Sequence, residues 1–367
     1  MCSNRHYLPG AHGTHESPTL ATFLQPGPRM LTTPSNPCDA GKPPAVNDAV
    51  RRDVTVVIAA WRAAATIGRA VASALAQPEA AEVVVVDDAS NDDGATLAAA
   101  RAADDGSGRL SVMALEFNSG PAHARNVAIR ASKATWITVL DSDDFMEPGR
   151  LAKLMALTDA GYDLIADDLK QVEEGADIAT ARPMWFDPGQ EQSIDISLSF
   201  FINGLIPKRG RMRRELGFIK PLMRRTFLER HALSYEASMR LGEDFDLYAR
   251  VLLNGGKMRL APWTGYMSVM RRNSLSLNHS RADILGFEAS KDRLLASGKL
   301  SPEEARLVRK LRANTHSRVV WIDVMAAVKG GKVFRAGALM LKNPRQAPHV
   351  VRKLGLLALD RVRGGKR

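Results

Sequence analysis

The chain has 367 residues, 45% of them hydrophobic and 25% charged, which excludes a wholly disordered protein and leaves room for one catalytic-size domain with appendages. A formal net charge of +11 points to an anionic partner: nucleic acid, an acidic membrane surface or a phosphorylated substrate. The two cysteines, Cys2 and Cys38, both lie near the N-terminus, so a disulfide framework and a thiolate metal site are excluded and a reducing, cytoplasmic setting is expected.

Residues 1–50 are rich in Pro, Gly, Ser, Thr and Asn without a hydrophobic period, and read as a disordered leader with Met30 as an alternative start. The first ~30 residues lack the apolar core of a signal peptide, and no run of ~18 or more apolar residues marks a spanning helix. From Asp53, the apolar runs VTVVIAA, EVVVVDD, LSVMAL, WITVLD and YDLIAD alternate with helix-like segments at 66–77, 95–103, 121–132 and 148–160. Continuous Val/Ile runs between helices predict a mostly parallel sheet with helices on both faces, an α/β domain. Asn118-Ser119-Gly120 is expected to cap the third helix, with Pro121 in its first turn. Beyond about residue 170 the alternation is lost. A loop-rich section holds Pro183, Pro188 and Pro207, then come the basic KRGRMRR at 208–214 and a helix introduced by RLGEDFDLYARVLLNGG. After Arg306 the chain reads as helical and basic, opposed only by Asp323 and Asp360.

Open α/β sheets place ligands at the carboxyl ends of their strands. Two acidic groups fall at such ends here: Asp87-Asp88 after VVVV, and Asp141, Asp143 and Asp144 after WITVL. Like charges ~4 Å apart repel by roughly 4 kcal/mol near a protein surface, so the second group needs a cation or open solvent. In an extended strand Asp141 and Asp143 point the same way and Ser142 elsewhere, a spacing that suits Mg or Mn shared with a diphosphate. The competing reading is a solvated turn. Asp88 is read either as the cap of the helix that follows it or as an acceptor for the imide N–H of uracil. Arg125 is a surface arginine or a cation facing a nucleotide. Glu243 and Asp244 open a helix at about Phe245, where the helix dipole favours acids, yet the helix is apolar and Arg240, Arg271 and Arg272 flank it. The arginines of MRRNSLS are a diphosphate clamp or ordinary surface charge.

Taken together, VTVVIAAWRAA, EVVVVDDAS, NSGPAHARNVAIRAS, ATWITVLDSDDFMEP, GEDFDLYARVLLNGG and YMSVMRRNSLS resemble the family 2 glycosyltransferases of GT-A fold over roughly residues 54–276. Within that family the likeness is to bacterial enzymes that build exopolysaccharide repeat units of the succinoglycan type. The resemblance implies inverting transfer from a nucleotide sugar, usually a UDP-sugar, to a lipid-linked oligosaccharide. Carried over residue by residue, it puts Asp88 at the base, Arg125 beside the nucleotide, Asp141 and Asp143 around metal and diphosphate with Ser142 between them, Arg272 on the donor and Asp244 as general base. One departure stands out. The first strand commonly ends in a proline-rich or threonine/tyrosine turn, whereas here Ala59-Ala60-Trp61-Arg62 follows, so Ala60 and Trp61 are expected to wall or stack on the base. The implied organisation is a leader at 1–50, a GT-A domain at 51–280 with its nucleotide-binding half at 51–170 and acceptor-binding half at 171–280, and a basic helical extension at 281–367.

Other readings fit less well. A dehydrogenase needs G-x-G-x-x-G after the first strand, where AAWRAAA stands, and a pyrophosphorylase needs a glycine- and arginine-containing loop there. A phosphatase would carry its D-x-D after the first strand. Nucleic acid is not an expected partner, because no RNA- or DNA-binding signature accompanies the basic charge. The alternative, a non-catalytic GT-A-like domain that binds nucleic acid or membrane, rests on that charge alone. Residues 351–362, VRKLGLLALDRV, alternate apolar and basic groups at helical spacing. They are read either as a peripheral anchor on the anionic inner face of the plasma membrane or as a helix packed on the domain.

Overall fold

The computed structural model describes residues 52–186, 189–207, 216–271 and 279–362, with side chains through residue 356. The leader at 1–50, the KRGRMRR stretch and Arg272 lie outside these residues.

The Val-rich run VTVVIAA forms β1 (Val54–Ala60). It is followed by α1 (Ile67–Leu75), β2 (Ala80–Asp87), α2 (Ala95–Ala102), β3 (Leu110–Ala114), α3 (Pro121–Arg130) and β4 (Trp136–Val139). β1 pairs in parallel with β2 on one side and β4 on the other, and β2 pairs in parallel with β3. The chain thus steps outward through β2 and β3, then returns to lay β4 against β1. That reversal opens a crevice at the carboxyl ends of β1 and β4, the usual ligand position in an open α/β sheet.

The second half is less regular: β5 (Phe145–Met146), α4 (Arg150–Met155), β6 (Leu164–Glu173), β7 (Arg182–Pro183), β8 (Ile194–Ile196), α5 (Leu198–Leu205), β9 (Leu222–Arg224), α6 (Arg225–Arg230), α7 (Glu243–Leu253) and β10 (Met258–Met270). The sheet runs β3-β2-β1-β4-β9-β6-β10-β5, with β7 on β6 and β8 on β10. Short β9 is antiparallel to both β4 and β6, while β6 and β10 are parallel. The parallel half follows the sequence pattern; beyond β4 the sheet is mixed, because a three-residue strand entered from a loop needs no helical crossover.

Both faces of the sheet are covered. Val57, Val84 and Ile137 pack with Leu247 and Val251 on one face. Val56, Ile58 and Val85 pack with Ile67 and Leu151 on the other. Four helices follow among the described residues: α8 (Arg281–Ala296), α9 (Pro302–Lys329), α10 (Val333–Lys342) and α11 (Ala347–Val362). Capping boxes start α8 (Ser280 with Asp283) and α9 (Ser301 with Glu304). Leu294, Leu307, Val308 and Leu311 join the same core as Leu247. Farther along, Val320, Val324, Ala327, Ala336 and Val350 make a small separate core of α9, α10 and α11. Among the described residues no helix is long and apolar enough to cross a membrane.

Candidate active site

At the end of β2, Asp88 is buried and both of its oxygens are taken by backbone: Oδ1 accepts from Ser119 N–H at 2.7 Å and Oδ2 from Gly120 N–H at 2.8 Å. Asp88 thus holds the loop that leads into the distant α3, and does not cap the helix that follows it. Asn118 and Ser119 do not cap α3 themselves; Gly120 occupies the N-cap position at φ 89°, with Pro121 in the first turn as expected. Neighbouring Asp87 holds Ser90 through its backbone N–H and its hydroxyl. Ser90 Oγ accepts from Arg62 N–H, which fixes the turn after β1. In that turn Ala60 is buried and Trp61 is partly exposed, at 38%, with the Arg62 guanidinium 5.0 Å over its ring.

After β4 the chain does not continue extended. Asp144 N–H donates to Asp141 O at 3.0 Å, closing a turn, so the strand alternation expected to align Asp141 with Asp143 does not apply. Asp144 is buried and structural: it accepts from Tyr266 Oη at 2.8 Å and Val269 N–H at 2.8 Å, tying the turn to β10. Burial, reinforced by the charges of Asp141 and Asp143, pushes its carboxyl well above the usual range. Ser142 is half-buried at the turn. Asp143, also half-buried, is fixed by Arg69, which donates to its carbonyl at 2.7 Å. Its carboxyl is pushed up by burial and by Asp141, against the pull of Arg271.

α7 begins at Gly242, whose φ of 71° excludes ordinary side chains and whose added Cβ would lie 2.3 Å from Phe287. The glycine lets Phe287 close over the first turn, so Glu243 and Asp244 belong to the helix rather than precede it. Asp246 faces elsewhere, paired with Arg250 and Arg293.

Arg125 and Lys220 join these elements. Arg125 is buried; its Nη2 donates to Asp141 Oδ1 at 2.9 Å, and its Nη1 to Glu243 Oε1 at 2.8 Å and Asp244 Oδ1 at 3.2 Å. Lys220 is also buried, with Nζ 2.8 Å from Asp244 Oδ2 and 3.0 Å from Asp141 Oδ2. Three carboxylates from β4 and α7 thus close around two cations. Burial alone would raise the Asp141 carboxyl, but Lys220 and Arg125 outweigh it and bring it down to about 2. Burial likewise works against the Lys220 ammonium, and Asp141 and Asp244 outweigh it, holding it above the ordinary lysine value. Glu243 stays raised by burial, with Asp244 adding to the rise and Arg125 and Lys220 working against it. The Nε of Arg125 is buried with no hydrogen-bond partner among the described residues.

Lys220 was not a sequence candidate. The signal was present: it is the one charge in LGFIKPLM (216–223), and a lysine inside an apolar run is buried only when paired. Its place is fixed through its carbonyl, which accepts from Arg150 Nη2 at 2.7 Å and Thr138 Oγ1 at 3.3 Å. Arg271 pairs with Glu174, at the rim.

Among the described residues no group of three or more His, Cys, Asp or Glu side chains converges to hold a metal ion. The donor set still fits an ion shared with a diphosphate. Both oxygens of Asp141 are occupied by cations, but among the described residues no ion pair is made by Asp143. One or two carboxylates with substrate phosphates and water suffice for Mg.

The comparisons agree with this architecture. The profile of glycosyl transferase family 2 matches residues 55–216. Succinoglycan biosynthesis protein ExoU of Rhizobium meliloti is 44% identical over 301 residues, 82% of this chain and 86% of that protein. ExoO of the same organism is 35% identical over 327 residues, 88% of each. Among solved structures, S. aureus TarS 1–349 in complex with UDP-GlcNAc superposes with a TM-score of 0.52 at 17% identity, covering 80% of this chain and 92% of that one. The mannosyltransferase PcManGT from Pyrobaculum calidifontis, in complex with GDP-Man and Mn2+, gives 0.52 at 18%, covering 84% and 81%. These two likenesses speak to the fold, which is GT-A. Coverage of most of the chain at 44% identity carries more: the protein belongs to glycosyl transferase family 2.

Proposed function

We propose that the enzyme transfers a sugar, with inversion, from a UDP-sugar to a hydroxyl of a lipid-linked oligosaccharide, in assembly of a succinoglycan-like polysaccharide. The observation that carries this reading is the bridge of Arg125 between Asp141, at the carboxyl end of the central strand, and Asp244, at the head of α7. In this reading the bridge joins the diphosphate-side carboxylate to the base. The names of ExoU and ExoO support the polysaccharide class, and TarS, solved with UDP-GlcNAc, supports a nucleotide sugar.

In this reading the acceptor oxygen bonds to the anomeric carbon as the bond from that carbon to the diphosphate oxygen breaks. The acceptor proton passes to Asp244, and the electron pair leaves with UDP. Arg125 and Lys220 are both buried, so their charge acts in a medium that screens little. As charge grows on the diphosphate the two cations are drawn to it, which unmasks Asp244 as a base. Trp61 is the face offered to the nucleotide base, and Asp88 supports that site by holding the loop 118–120. Asp143 is the residue that would hold Mg or Mn. Such an ion supplies further positive charge to the departing diphosphate.

Incubation of the purified protein with separate UDP-, GDP- and dTDP-sugars and a membrane lipid extract, followed by the release of nucleoside diphosphate and lipid-linked product, tests the reading. Turnover confined to a UDP-sugar, with the anomeric configuration inverted in the product, is expected. Turnover of a GDP- or dTDP-sugar alone, or retention of configuration, overturns it.

A further inference from the structure

The outward face of α10 is apolar where a soluble surface would be polar. Phe334 is 98% exposed, Leu341 83% and Val333 71%, while the opposite side of the helix buries Ala336 against α9. Phe334 and Leu341 are seven residues apart and share one helix face. Exposed Lys332, Arg335 and Lys342 flank them. Between residues 324 and 359 the sequence carries seven lysines and arginines and no Asp or Glu. A protein partner that covered this face would have to be apolar at its centre and acidic all round its rim. A bilayer of anionic lipid offers both layers at once: acyl chains for Phe334 and Leu341, and headgroup phosphates for the cations.

We propose that α10 lies in the interface of an anionic bilayer, inserting Phe334 and Leu341, and that this helix provides the main apolar hold. α11 also exposes Val351 (57%) and Leu356 (53%), but less fully than α10 exposes Phe334 and Leu341, and its Val350 is spent on the small core shared with α9. The inference is independent of which sugar is transferred, because α10 contributes no residue to the Asp141–Asp244 cluster.

The test is flotation of the full-length protein with vesicles of phosphatidylcholine alone and of phosphatidylcholine with 30% phosphatidylglycerol. Sedimentation velocity without lipid and nucleotide-sugar hydrolysis are run beside it. Binding to the anionic vesicles only, weakened by salt, is expected. Phe334→Ser with Leu341→Ser should lower that binding at least 10-fold, with unchanged hydrolysis and melting temperature, since neither side chain packs in the core. Lys332→Gln with Arg335→Gln and Lys342→Gln should remove most of the salt dependence. Equal flotation of wild type and the Ser variant overturns the proposal. So does a wild-type oligomer that the Ser variant turns into monomer, which would assign the face to a second copy of the chain. Loss of hydrolysis in every protein with flotation intact would count against the sugar-transfer reading alone.

Discussion

Lys220 Nζ stands 3.0 Å from Asp141 Oδ2 and 2.8 Å from Asp244 Oδ2, so one buried ammonium joins the strand that brings the donor-side carboxylate to the helix that brings the proposed base. Lys220→Met keeps the stem and removes the charge. Breaking a buried pair from one side costs roughly 3–5 kcal/mol, and losing one oriented cation at a reacting centre costs roughly 10²- to 10³-fold in turnover. A purely structural lysine would show only the first effect. The pH profile separates the two roles. Lys220 helps hold the Asp141 carboxyl at about 2, so its removal lets that carboxyl rise. The acid limb of activity should then move to higher pH, and Lys220→Arg should move it back. Acid stability follows the same sign: a depressed carboxyl contributes stability above its unfolded value near ~3.9 and loses it as pH falls toward its folded value, so the variant should unfold at higher pH. An unmoved acid limb in Lys220→Met would show that the lysine only holds the fold.

Asp244 and Glu243 both touch Arg125, and substituting them separately tells them apart. Asp244→Asn preserves shape and removes proton acceptance, so transfer should fall roughly 10²- to 10⁴-fold with UDP-sugar affinity nearly unchanged. Glu243→Gln should cost far less, because among the described residues Lys220 forms its ion pairs with Asp141 and Asp244 and none with Glu243. If Glu243→Gln instead carries the large loss, the base is Glu243, whose burial-raised carboxyl suits proton acceptance.

Much of this was legible in the sequence, and what escaped shares one physical character. VTVVIAA forms β1 over the expected residues, and Pro121 starts α3, because both depend on local pattern. Asp141, Arg125 and Asp244 stood out through strand ends and motif order, and the fold does bring them together. Lys220 escaped because its meaning lies in partners 79 and 24 residues away, toward which no periodicity points. That Asp88 holds the loop before α3 is hidden for the same reason, since its hydrogen bonds span 31 and 32 residues. β9 has three residues, too few to show any alternation.

In the proposed scheme Asp143 holds the divalent ion, which gives a direct test by calorimetry with UDP. Binding should weaken on chelation, and Asp143→Ala should lose most of that metal dependence. Because burial and Asp141 push the Asp143 carboxyl up, protons compete for it above the usual carboxylate range. Metal-dependent affinity should therefore decline as pH is lowered, sooner than for an exposed aspartate. UDP binding that ignores both chelator and Asp143→Ala would remove the metal from the scheme.

Lys291, on α8 behind the head of α7, is a buried lysine with no part in the proposed chemistry. Its Nζ donates to Phe287 O at 2.6 Å and lies over the Phe245 ring at 4.8 Å. Burial depresses its ammonium well below the ordinary lysine value, although Asp246 works in the opposite direction. Between that depressed folded value and the unfolded value near ~10.4, the unfolded chain binds the extra proton, so this residue makes stability rise with pH. Lys291→Met removes the amine and fills the same space. Asp246 keeps Arg250 and Arg293, so no carboxylate is left bare. Relief from burying the amine is worth roughly 1–3 kcal/mol, at roughly 2–4 °C of melting temperature per kcal/mol. The variant should melt several degrees higher at neutral pH, lose part of the alkaline rise in stability and keep its turnover. A variant that melts lower, with the slope against pH intact, would mean that Lys291 is charged in the folded protein and paired to Asp246, and that its burial there stabilises the helix pair.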